Sequence, residues 1–200
     1  MKRTKKEVVA EFRSAEILDA ARKTFASKGF NAATMDEIAE AAGLAKGTLY
    51  LYFSSKRDIY LKAFEQGLSR MMELTTAKMR AAEGIQAKIE AFVDTRVRYA
   101  EENRDFYKIY AEFSNLVAPG SIGKDFQKLY LRQVDTVEHI LREALDRGQI
   151  GPLPVRVAAF TILDMTRSLI IRRLLRRSNA DIDEDIKFLC EFIWAGLGVR

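Results

Sequence analysis

Residues 34–53 read TMDEIAEAAGLAKGTLYLYF, and the spacing of small and apolar residues predicts two short helices joined by a tight turn. Thr34 and Glu37 stand three apart, the spacing of a capping box. In that motif the hydroxyl and the carboxylate each take an amide that the first turn of a helix leaves unpaired. Ala39 is small enough to let a second helix approach closely. Gly43 falls in the turn, where a residue without a Cβ adopts positive φ at no steric cost. Leu49 faces back into a small core. Units built this way usually place their second helix in the DNA major groove, so the stretch points to a DNA-binding protein.

Working outward, the chain reads as helix from end to end. A first helix is expected over about 10–28, with Ile17, Leu18, Ala21 and Phe25 as its apolar stripe. Gly29 has the place of a left-handed cap, and Phe30 that of a residue folding back on Phe25. Thr34 opens the second helix, and the third spans about 45–51. Ser55 and Asp58 form another candidate box, starting a long helix to about 80. Five more helices follow at about 84–103, 105–117, 124–147, 154–177 and 181–198. The three prolines, Pro119, Pro152 and Pro154, mark the breaks. No segment alternates with period two over β-branched residues, which argues against a sheet. The expected fold is all-α: a three-helix helix-turn-helix head over residues 1–54, joined by a long helix to a larger bundle over 55–200, about nine helices in total.

The bulk numbers agree. The chain has 200 residues, 48% of them hydrophobic, with 12 Phe, 7 Tyr and 1 Trp. That is enough for one large domain or two unequal ones. Lys and Arg number 33 against 28 Asp and Glu, a formal charge of +5, compatible with a polyanionic partner. Lys2, Arg3, Lys5 and Lys6 crowd the start, as either a solvated tail or an arm reaching DNA phosphates or the minor groove. With Cys190 as the only cysteine, no internal disulfide can form, which suits a reducing cytoplasm. The basic start is not followed by an apolar run, and no apolar stretch approaches the roughly 20 residues of a membrane span.

Within the head, Ile38, Ala39, Leu49 and Phe53 have the spacing to pack with Ile17, Leu18 and Phe25. The third helix then presents Lys46, Thr48, Tyr50 and Tyr52, with Gly47 near its start letting DNA come close. Thr48 and Tyr52 share one face, Lys46 and Tyr50 the next. Hydroxyls and an ammonium reach phosphate oxygens and base edges. Lys56 stands at the start of the fourth helix, where a cation and a helix N-terminus hold one phosphate together.

From Ile17 to Lys56 the chain reads ILDAARKTFASKGFNAATMDEIAEAAGLAKGTLYLYFSSK, which closely resembles the DNA-binding head of TetR-type transcriptional repressors. Beyond Phe64 only the architecture is similar. The resemblance implies an all-helical homodimer with a ligand pocket in each large domain. It also implies DNA contacts at Thr34, Lys46, Gly47, Thr48, Tyr50, Tyr52 and Lys56. Many members carry His or another residue at the position of Tyr52. Two heads reading a palindrome must sit about 34–36 Å apart, and the helices at 154–177 and 181–198 carry more apolar residues than one stripe needs. With the resemblance, this assigns them a dimer interface; a deep monomer core is the other reading.

The larger domain carries an aromatic run in which Phe106, Tyr110 and Phe113 share a face. With Tyr99 and Tyr130, and with Met72 and Met79 on the fourth helix, these residues have the composition of a pocket for a small amphipathic organic molecule. Five arginines lie in 167–177. Arg167 falls on the apolar side with Asp164 one turn earlier, either as a mutual ion pair or as the anchor of an acidic ligand.

Chemistry is thin. His139 and Cys190 cannot assemble a zinc site within one chain, and no nucleophile elbow, phosphate loop or dinucleotide pattern appears. The acidic run Asp181, Asp183, Glu184, Asp185 suits a helix N-terminus. No metal or cofactor is expected, and no enzyme activity. The expected function is a one-component repressor in the cytoplasm, binding palindromic operator DNA as a dimer and released by a small organic effector. Three alternatives stay open: a helical-bundle enzyme, a membrane- or partner-binding protein using the 167–177 arginines, and a DNA-binding activator without a small ligand.

Overall fold

The computed structural model describes residues 4–115, 121–175 and 181–198, with the backbone alone for residues 6, 112–115 and 121–126. The described residues form nine helices and no strand: α1 (Lys5–Ala32), α2 (Met35–Ala41), α3 (Lys46–Tyr52), α4 (Lys56–Ala81), α5 (Gly84–Glu102), α6 (Arg104–Asn115), α7 (Ser121–Asp146), α8 (Val155–Leu174) and α9 (Ile182–Leu197).

Local chemistry sets the ends. Helix α1 starts earlier than its apolar stripe indicates, because Thr4 and Glu7 form a capping box. The Glu7 N–H donates to Thr4 Oγ1 at 3.3 Å and the Thr4 N–H to Glu7 Oε2 at 2.8 Å. Lys5 and Lys6 thus belong to a helix rather than to an extended arm; Lys2 and Arg3 lie outside the described residues. At Gly29 the backbone kinks with φ 77° and ψ 165°, outside the left-handed helical well expected there, and one more turn runs to Ala32. Phe30 does fold back on Phe25, ring centroids 6.1 Å apart, and both rings lie against Tyr60.

The expected capping box at α2 is formed: the Glu37 N–H donates to Thr34 Oγ1 at 3.3 Å and the Thr34 N–H to Glu37 Oε2 at 3.0 Å. Helix α2 ends in a Schellman turn. The Leu44 N–H donates to Ala39 O at 2.8 Å and the Gly43 N–H to Glu40 O at 3.0 Å, with Gly43 at φ 66°. At α4, Ser55 Oγ accepts from the Asp58 N–H at 3.1 Å, while the Asp58 carboxylate takes the amide of Ser54 at 2.9 Å.

The described residues gather into two compact units. The first holds α1–α3, α4 as far as Ser69, and α6 from Asp105. Ile17, Ala21, Phe25, Ile38, Ala39, Leu49, Phe53 and Tyr60 form its core beneath α3; each large apolar side chain so buried contributes about 1.5–3 kcal/mol. Phe64, Phe106 and Tyr110 make a second cluster, ring centroids 5.8–6.1 Å apart. Gly67 makes room for it: a Cβ there would lie 2.3 Å from Phe106 Cδ2.

The second unit holds α4 from Arg70 together with α5, α7, α8 and α9. Helix α5 packs against α7, α8 and α9, through side chains such as Ile89, Val93, Val97, Val134, Leu141, Ala159 and Leu163. Ion pairs tie its helix ends. The Arg173 Nε donates to Glu101 Oε1 at 2.8 Å and its Nη1 to the buried Asp185 at 2.6 Å; Arg172 reaches the other Asp185 oxygen. Asp181 caps α9 by accepting from the Asp183 N–H at 2.8 Å. Burial works to raise the pKa of Glu101, but hydrogen bonds from Arg104 and Arg173 outweigh it and hold the carboxyl below its ordinary 4.5. Cys190 is buried, and burial, aided by Glu90, Asp94 and Glu191, pushes its thiol up to about 12. No described helix is long and apolar enough to cross a membrane.

Two predictions test this packing. Gly67→Ala should lower the melting temperature, because overpacking against a buried ring costs about 1–3 kcal/mol while the gain in helix propensity is about 1 kcal/mol; a raised melting temperature would refute the close approach of Phe106. Glu101, with its folded pKa depressed, stabilises the fold above its ordinary pKa, and that contribution is lost as pH falls through the depressed value. Urea midpoints should therefore drop below about pH 4.5, and less steeply in Glu101→Gln; parallel profiles for the two proteins would contradict the assignment.

Candidate nucleic-acid interface

Helix α3 is clamped from beneath by Leu49 and Phe53 and turned outward by the Gly43 turn. Lys46, Gly47, Tyr50 and Leu51 are exposed, while Thr48 and Tyr52 are half-buried along its edges. Thr34 is exposed at the start of α2, its hydroxyl oxygen engaged in the cap. Beyond its chain neighbours and the backbone of its own helix, no described atom lies within 4 Å of where a Gly47 Cβ would stand, and its φ is not positive. Nothing inside the fold requires glycine there, although glycine weakens a helix by about 1 kcal/mol. The missing side chain leaves room only on the outside.

The charges on this face are partly committed. Lys46 Nζ lies 2.9 Å from Asp36 Oδ2, and the hydrogen bond and charge of Asp36 raise the lysine's pKa. Lys28 pairs with Glu37 at 2.7 Å, fastening α1 to α2. The hydrogen bonds from Lys28 and from the Thr34 amide depress the Glu37 carboxyl. Lys56 is folded inward: its ammonium donates to Ala33 O at 2.8 Å and Asn31 O at 3.1 Å, and stands 4.7 Å from the centre of the Phe30 ring. It locks the end of α1 to the start of α4.

The residues expected to line a ligand pocket fall in different places. Phe106 and Tyr110 are core of the first unit. In the second unit, Met79 and Tyr99 are buried. Tyr130 is half-buried and donates its hydroxyl to Asp164 Oδ1 at 2.7 Å. Arg167 pairs with the same oxygen at 3.2 Å, the mutual pair that its spacing suggests. The Phe113 side chain lies outside the described residues. Met72 borders a small cavity with Phe92, Arg96 and Gln133. A separate open groove of about 760 Å³ runs between the end of α4, α5 and α9, past Lys78, Asp94, Ile186, Cys190 and Trp194.

Residues 17–63 match the family described as "Bacterial regulatory proteins, tetR family". The HTH-type transcriptional regulator YfiR of Bacillus subtilis (strain 168) is 30% identical over 164 residues, which cover 79% of this chain and 78% of that protein. The chain belongs to the TetR family of transcriptional regulators. The fatty acid metabolism regulator protein of the same organism is 29% identical over 72% of this chain and 74% of its own length. The solved structure of the Bacillus subtilis regulator FadR in complex with stearoyl-CoA shares the fold, with a TM-score of 0.82 over 91% of this chain and 98% of that one at 20% identity.

Three residues of this regulator escaped the sequence reading. Asp36 opposes Lys46 from ten residues away, a pairing that only the folded turn creates. Leu51 is 83% exposed on the outward side of α3, suited to contact with a thymine methyl. Arg96 is buried, and the one available signal was its position four residues after Phe92 on the apolar stripe of α5.

Asp36→Asn should free Lys46 for phosphate. DNA affinity is expected to rise a few-fold for every sequence alike, with the salt dependence steepening by up to about one unit in log–log slope. Unchanged affinity and slope in a titration from low to physiological salt would show that Lys46 does not meet phosphate.

Proposed function

We propose that this TetR-family regulator is a dimeric repressor. In this reading residues 1–54 read one half-site of a palindromic operator, and residues 55–200 dimerise and hold a small apolar or amphipathic effector. The observation that carries it is the outward face of α3, an exposed lysine, tyrosine and leucine around a glycine that nothing inside the protein needs. Such a face is a liability unless something large and flat approaches it closely. In the proposed complex Lys46, Gly47, Tyr50 and Tyr52 approach the groove, and Thr34 and Thr48 take phosphates or base edges. Lys56, tied to the carbonyls of Asn31 and Ala33, acts by fixing the frame as much as by charge.

Support for pairing through α8 and α9 comes from apolar side chains exposed on and beside them. Val157, Leu175, Phe188 and Phe192 are each more than half exposed, and Phe188 and Phe192 lie side by side with ring centroids 6.4 Å apart. A single head offers too few base contacts for specificity, whereas two at fixed separation multiply them. Effector binding then shifts the population toward head separations that mismatch the site. The names of the fatty acid regulator and of FadR bound to stearoyl-CoA make acyl compounds the first effectors to try. The role proposed is regulatory rather than catalytic, without cofactor or metal, and in the cytoplasm.

Selection of bound DNA from a random pool tests the reading. Enrichment of a palindrome with half-sites one to two helical turns apart is expected. Failure to enrich any sequence, or enrichment of a single unrepeated half-site, would overturn the dimeric repressor.

A further inference from the structure

Arg96 lies midway along α5 and is only 2% exposed. Its guanidinium carbon sits 5.0 Å from the centre of the Phe92 ring. Its Nε has no hydrogen-bond partner, and among the described residues no carboxylate pairs with it. Across from α5, on α7, Gln133 is equally buried. Its Nε2 donates to Leu129 O at 3.3 Å, and its Oε1 has no hydrogen-bond partner. Both side chains border one cavity with Met72 and Thr75 of α4, Phe92 of α5 and Thr136 of α7. The space is about 10 Å³, room for about one water.

A guanidinium stays charged wherever a protein buries it, so this burial is not relieved by giving up a proton. The Phe92 ring face offsets part of the cost, but an uncompensated buried charge remains strongly unfavourable. Carboxylates on α5, α8 and α9 of the same unit pair with other cations: Asp94 with Lys78 and Arg98, Glu101 with Arg104 and Arg173, Asp164 with Arg167, Asp185 with Arg172 and Arg173. Among the described residues bordering the cavity, Arg96 is the one charge. A planar fork of donors beside an orphan acceptor is complementary to a carboxylate carried by a molecule with its own O–H or N–H.

We infer that this cavity seats the acidic group of the effector, an organic carboxylate bound on the Arg96 guanidinium, with Gln133 Oε1 accepting from a donor on the same molecule. The inference rests on the effector-released reading above and names the chemical class of that effector. It differs from an acyl-CoA, whose thioester brings no charge to such a seat. The space as it stands is too small for a carboxylate, so seating the acid requires Met72 and Thr75 to part from α5 and α7. Binding therefore moves α4, the helix that begins at Lys56 beside the reading head.

The test uses the full chain and five probes: benzoate and benzamide, decanoate and decanamide, and decanoyl-CoA. Thermal shift is read without DNA, and release of the selected operator is read separately. At least one acid should raise the melting temperature and release operator, while its amide fails at tenfold higher concentration. Arg96→Met should abolish the response to the acid with operator affinity retained. Arg96→Lys, which keeps the charge but loses the fork, should weaken the response at least tenfold, and it decides the matter if Arg96→Met does not fold. The inference is overturned if no acid outperforms its amide, or if the variant that folds responds to the acid as the parent does. Release by decanoyl-CoA alone, equal in the parent and in the Arg96 variant that folds, also overturns it while leaving the effector reading standing. A parent chain that selects no operator yet is stabilised by an acid through Arg96 sinks the repressor reading and keeps the acidic seat.

Discussion

The direction in which α3 faces depends on one backbone hydrogen bond, from the Leu44 amide to the Ala39 carbonyl, closed over a glycine at positive φ. A Cβ at Gly43 would meet no described atom beyond its chain neighbours, so the demand there is conformational rather than spatial. Once the turn is set, Leu49 has a single direction in which to bury itself, and the opposite face of α3 is fixed outward. The Thr34–Glu37 box starts the preceding helix, and the Lys28–Glu37 pair holds it to α1. Lys56 does the same at the far side by gripping carbonyls left open at the end of α1. Each short helix of the head is fastened at an end, where short helices otherwise fray.

The second unit solves a different problem with related means. Its long helices bury ample apolar surface, and one group of its charges meets at helix ends. The arginines closing α8 lie on Asp185, in the first turn of α9, and on Glu101, in the last turn of α5. Two of these sites place charge where a helix dipole favours it. Arg96 stands apart as a buried cation with an aromatic ring and an open acceptor for company. Proteins retain such locally unfavourable features chiefly where they are used.

Much of the head was legible in the sequence because its determinants are local. Capping boxes act over three residues, a Schellman turn over six, and the core positions of helices this short follow from spacing alone. The early start of α1 was not legible from periodicity, since Val8, Val9 and Phe12 are exposed and give no stripe; Thr4 and Glu7 were the signal. The inward folding of Lys56 depends on where the end of α1 lies in space, across more than twenty residues of chain. The pocket was least legible of all. Phe106 and Tyr110 look like neighbours of Tyr99 and Met79 along the chain, yet they pack into the first compact unit, against Phe64. Arg96 was overlooked because a charged residue on an apolar stripe reads as an interruption until its surroundings are known.

Cys190 has a practical consequence. The one thiol in the chain is buried and held almost wholly protonated at neutral pH, and the thiolate is the form that reacts. The folded protein is thus a quiet background for maleimide chemistry. A single cysteine introduced on the outer face of α3 becomes the only reactive handle in each chain. In the proposed dimer, two such labels, one per protomer, turn the separation of the two α3 helices into a distance that spectroscopy can follow.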